Sequence, residues 1–165
     1  DSARFFAQTY VMAADALIAC WDSKFYYNFW RPVTAIRAAG TDGNDATEPD
    51  PAWAPLANTP PHPEYPAAHG CLTGAIAHSV ESFFGTKKID VTLTSTSVPG
   101  IPLAEHTFAK TGDMTKEIID ARIYAGFHYR SSGVHGTVIA RQVAHWVSTH
   151  YFQPAGTAQR PRPAE

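Results

Sequence analysis

Lys24 and Arg31 stand seven residues apart in WDSKFYYNFWRP, almost two whole helical turns, so a continued helix would aim both at one side. Arg122 and His128 stand six apart in ARIYAGFHYRSS, and His62 and His69 close the two ends of the stiff segment HPEYPAAHG. These residue types suit one job. A lysine and two arginines supply charge-assisted donors for a tetrahedral oxyanion. One imidazole can bond to the central atom of that anion while another passes protons on its far side. Singly, each residue has a plainer reading: a lysine among aromatics is usually a snorkelling stem, a lone arginine a surface group, and a lone histidine a hydrogen-bonded core residue. The functional reading rests on the set.

Four helices are predicted to position that set. Residues 2 to 29 repeat Phe5, Phe6, Tyr10, Met12, Ala13, Leu17, Ile18 and Trp21 at three- and four-residue steps, and Arg31 before Pro32 ends the helix near Trp30. Residues 67 to 85 carry Leu72, Ala75, Ile76, Val80 and Phe83 on one stripe, with Gly85 as the stop. His69 stands at the start of this helix, where unpaired N–H groups and the dipole favour an anion. A third helix, roughly 113 to 126, carries Met114, Ile118, Ile119, Ile123 and Tyr124. A fourth, roughly 134 to 151, carries Val134, Val138, Ile139, Val143, Trp146 and Val147.

Between the first two helices, residues 49 to 66 hold seven prolines and must cross the surface in extended and turn conformations. Residues 91 to 98 alternate threonine and serine with apolar residues, a short strand or hairpin arm at best. The fold class is therefore all-α, a helical bundle with long proline-rich loops and at most a short hairpin. Residues 1 to 153 read as one helical catalytic domain and 154 to 165 as a flexible tail.

The 165 residues suffice for one domain with a real core, and 17% charged residues is below the usual quarter. A net charge of −2 advertises neither nucleic acid nor an anionic membrane as partner, and no apolar run reaches a membrane span. Cys20 and Cys71 make neither a disulfide framework nor a zinc site; they read as one bridge or, more simply, as two buried thiols. The chain begins without methionine, inside an amphipathic pattern, and so reads as the C-terminal part of a longer protein. N-terminal helices or a second copy would complete the bundle.

The set resembles the signature shared by vanadium-dependent haloperoxidases and type 2 phosphatidic acid phosphatases. That signature has three parts: lysine, six residues and Arg-Pro; Pro-Ser-Gly-His; and arginine, five residues, histidine, three residues, aspartate. Lys24, Arg31 and Pro32 give the first, Pro66-Ala67-Ala68-His69 the second, and Arg122 with His128 the third. Trp21, three before the lysine, and His62, seven before His69, echo the haloperoxidases. The resemblance implies the family's α-helical bundle with vanadate as cofactor, phosphate or sulfate being able to take the same place. It implies Lys24, Arg31, Arg122 and the Ala68 N–H on the anion's oxygens, His128 as axial vanadium ligand, and His69, with His62, as acid–base residues. Hydrogen peroxide, a halide and a small-molecule substrate would be the partners, and a secreted or extracytoplasmic location is favoured.

Two positions depart from the signature. Ala67 replaces a serine, leaving backbone N–H groups in place of a hydroxyl; one lost donor in a preorganised site costs on the order of 2–4 kcal/mol. Ser132 stands where an aspartate would orient His128, and can hydrogen-bond its second nitrogen without supplying charge. A vanadium ligand tolerates that loss better than a phosphorylated nucleophile does. The leading expectation is a haloperoxidase-like oxidoreductase; the alternatives are a soluble acid phosphatase with a histidine nucleophile and a non-catalytic phosphate- or partner-binding relative.

Overall fold

The alanine-rich first segment is helical from Ser2 to Tyr27 (α1) and stops where Asn28 turns left-handed, φ 44°, returning its N–H to the Lys24 carbonyl. Pro32 then fills the first turn of a six-residue helix, α2 (Pro32–Arg37), which VTAIRAA alone did not announce. A 3₁₀ turn and the proline-rich loop lead to α3 (Ala68–Phe84), closed as expected by Gly85 at φ 66°. An antiparallel hairpin follows, β1 (Lys88–Ser95) and β2 (Ala104–Lys110), then α4 (Thr111–Tyr124) and α5 (Arg130–His150). The computed structural model describes residues 1–153; the tail read for 154–165 lies outside them.

The chain is mostly helical. α3 lies centrally, against α1, α4 and α5, and α1 also touches α5. The hairpin pairs Val91 with Phe108 and Ser95 with Ala104, with an irregularity after Lys88. Sequence reading placed one arm of it; β2 was not expected, because AEHTFAK has little alternation. Its anchor is Phe108, buried under His106, whose Nε2 lies 3.2 Å from the Glu117 carboxylate on α4.

The stripes of large apolar residues read from periodicity are only in part the buried faces. On α5, Val134, Val138 and Trp146 are exposed, while Gly133, Gly136, Ala140, Ala144 and Val147 face inward. On α1, Phe6, Tyr10, Ile18 and Trp21 are exposed, and Met12, Ala16, Cys20 and Lys24 are buried. The reason is helix separation. A Cβ on Gly70 would stand 2.6 Å from the Gly133 carbonyl oxygen, and one on Gly74 would stand 2.9 Å from the Ala140 Cβ. α3 and α5 this close admit only small side chains between them, and the core is Ala16, Ala75, Ala140 and Ala144 with Met12 and Val147 packed beside them. A second cluster joins Cys20 and Cys71, both free thiols, to Ala68 at the head of α3. Among the described residues, no helix is long and apolar enough to cross a membrane.

Candidate functional site

The α1–α3 contact, the proline-rich loop and the turn from α4 into α5 meet at one place. That turn needs Gly126, whose φ of 76° and contact with Trp53 leave no room for a side chain. It returns the chain after Arg122 so that His128 and Tyr129 run back into α5.

Lys24 is fully buried in the last turn of α1. Its Nζ donates to the carbonyls of Pro63 (2.8 Å) and Glu64 (3.0 Å). Arg31, just before α2, donates through Nε and Nη2 to the His62 carbonyl, and through Nη1 to the Phe127 carbonyl at 2.9 Å. Its Nη1 also reaches His128 Nε2, and its Nη2 reaches His62 Nδ1, both at 3.1 Å. Trp21 lies against the His62 ring, centroids 5.3 Å apart.

Arg122 differs from both. Its guanidinium lies 4.5 Å over the Phe127 ring, and its buried Nε has no hydrogen-bond partner among the described residues. His69, second residue of α3, keeps exposed surface. The Ala67 N–H, expected to face an oxyanion, is donated instead to the Ser132 carbonyl at 3.0 Å, so α3 is tied to α5 there. The N–H of Ala68 has no backbone acceptor among the described residues.

Ser132 does not hydrogen-bond His128 as expected; a carboxylate stands between them. Glu64 Oε1 lies 2.7 Å from His128 Nδ1 and accepts the Tyr129 N–H at 3.0 Å, while Oε2 accepts the Ser132 hydroxyl at 2.6 Å. Glu64 is fully buried, and removing its donors would strand a buried charge at a cost of about 3–5 kcal/mol. Sequence reasoning missed it, although a signal was there: Glu64 is the one Asp, Glu, Lys or Arg between Asp50 and Glu81.

The electrostatics follow from crowding like charges out of water. Burial, with Arg31 close by, brings the Lys24 ammonium down to about 8. His69 is lowered by burial and then by Arg122, His62 and Lys24; His62 by burial and then by Lys24, Arg31 and Arg122. Burial lowers His128 to about 4 against the opposing pull of Glu64, so its imidazole is neutral at neutral pH. Burial alone would raise Glu64, but the hydrogen bonds from His128, Ser132 and Tyr129 more than offset this and keep it ionised. Lys24 and Arg31 lie near the Glu64 carboxylate, Arg122 lies near Arg31, and three cations against one carboxylate leave the balance positive.

Residues 4–156 match the family model described as the VCPO second helical-bundle domain. Vanadium chloroperoxidase of Curvularia inaequalis is 36% identical over 104 residues, which covers 54% of this chain and 16% of that protein. A bacterial vanadium-dependent iodoperoxidase structure aligns with TM-score 0.70 and 30% identity over 88% of this chain and 32% of its own. A bacterial vanadium-dependent chloroperoxidase in its apo form aligns with TM-score 0.73 at 20% identity, which speaks to fold alone, over 90% of this chain and 37% of its own. The chain thus spans well under half the length of these relatives.

Proposed function

We propose, from the premise that this chain belongs to the family of VCPO second helical-bundle domains, that its cation pocket binds vanadate and serves peroxide-dependent halide oxidation. The observation that carries the reading is Arg122, whose buried Nε lacks a partner while the neighbouring Lys24 and Arg31 are engaged with carbonyls. A buried guanidinium N–H without an acceptor is costly unless an anion comes to it.

The donor set fits a tetrahedral oxyanion. Arg122, the free N–H groups opening α3 and the remaining Lys24 proton would take the oxygens, and neutral His128 would offer a ring nitrogen. Arg31 Nη1 must leave His128 Nε2 for this, and it then becomes a further donor to the same anion. His69, kept neutral by burial and then by the cations beside it, is suited to accept and return a proton at the mouth. When bound, vanadate supplies a Lewis-acidic centre that polarises hydrogen peroxide toward attack by halide.

A second reading has an observation of its own. The Glu64–His128 contact is the carboxylate–imidazole arrangement that a histidine nucleophile needs, which favours a soluble acid phosphatase. One experiment separates the two: bromination of a phenolic dye with vanadate and peroxide, against p-nitrophenyl phosphate hydrolysis without vanadate. Vanadate-dependent bromination is the expected result. Phosphatase turnover that vanadate inhibits, with phosphate recovered on histidine and no halide oxidation, overturns it.

A further inference from the structure

We infer that Glu64 is a positioning residue: it fixes His128 as the Nδ1–H tautomer and so turns the Nε2 lone pair toward the anion pocket. The inference rests on the reading of His128 as the ring that meets the anion. Its geometry is independent of that reading. The partners of the two ring nitrogens leave one arrangement. A guanidinium has no lone pair, so Arg31 Nη1 can only donate, and His128 Nε2 must be the acceptor. The proton then sits on Nδ1, aimed at Glu64 Oε1 2.7 Å away.

The family signature places an aspartate one helical turn after its histidine, and this chain has Ser132 there. The carboxylate has moved from α5 to the loop, and Ser132 has become its support, donating to Oε2 at 2.6 Å. With the Tyr129 N–H also on Oε1, three donors from one short segment fix both oxygens, and thus the plane of the carboxylate. The loop backbone is fixed in turn: the Glu64 N–H donates to the Phe29 carbonyl at 2.9 Å and its carbonyl accepts from Lys24. Outer partners of this kind set the tautomer and orientation of a ring that binds a metal.

The test reads the ring itself. Long-range proton–nitrogen correlation spectra of the histidines, at neutral pH without vanadate, should show wild-type His128 protonated on Nδ1 alone. Glu64→Gln, which keeps an acceptor oxygen, should preserve that pattern. Glu64→Leu should give mixed or reversed tautomers and weaken vanadate binding at least about tenfold, with less than about threefold change for inorganic phosphate, which does not bond to the ring. Ser132→Asp added to Glu64→Leu should restore both. A wild-type His128 protonated on Nε2 overturns the inference without any variant. So does a Glu64→Leu protein whose tautomer and vanadate-to-phosphate ratio are unchanged. Failure of the wild-type protein to prefer vanadate would sink the haloperoxidase reading and leave the tautomer result to decide the role of Glu64.

Discussion

At the scale of single residues, the three cations that spacing had grouped divide their work. Lys24 and Arg31 hold the carbonyls of three successive loop residues, His62, Pro63 and Glu64, while the buried Nε of Arg122 has no partner among the described residues. Arg122→Ala should therefore abolish the rise in melting temperature that vanadate or phosphate gives the native protein. Arg37→Ala, whose side chain reaches only the Trp53 carbonyl, should leave it intact. Equal losses in a thermal-shift series would mean diffuse charge in place of a pocket. Motif spacing made Lys24, Arg31, Arg122 and His128 legible in the sequence, because charged residues in an aromatic setting stand out. Glu64 was hidden because a lone glutamate among prolines has the same letters whether it is solvated or buried.

At the scale of elements, helix existence was readable and helix facing was not. The four long helices fall within a few residues of their expected bounds, but α5 begins at Arg130, earlier than its apolar run. Periodicity cannot choose between a face of large residues and a face of glycine and alanine when both repeat on the same helix. Here the small face was buried, because α3 and α5 approach until Gly136 meets Cys71 and the Ala67 carbonyl. Gly136→Ala would set a Cβ 2.7 Å from that carbonyl oxygen, where backbone must yield. We expect a loss of about 1–3 kcal/mol in urea unfolding. The same change should weaken anion binding, since Ala67 is the cap from which α3 starts. An unchanged midpoint would show that the helices can part at no cost.

For the molecule as a whole, burial has set several histidines against acid. His62, His69, His78 and His128 are all lowered by burial, and an unfolded chain would return them to their ordinary value near 6.5. Unfolding then takes up protons below that value, so stability is full above about pH 6.5 and falls as pH drops toward the folded-state values. His128, at about 4, alone accounts for roughly 3 kcal/mol across that window. Glu64, also lowered, acts in the same direction below its own ordinary value. Urea midpoints at pH 7.5, 6 and 4.5 should decline steadily, and a flat profile would contradict the burial of His128.

The carbonyls held by Lys24 and Arg31 have one more consequence. A proline-rich segment without regular structure would ordinarily breathe, opening and closing apart from the rest of its domain. Residues 62–64 cannot, because their backbone is gripped by side chains rooted in the last turn of α1 and the first residue before α2. Exchange of the Glu64 amide with solvent should thus await the parting of the helices themselves, so that a stretch without regular structure opens with the bundle and not before it.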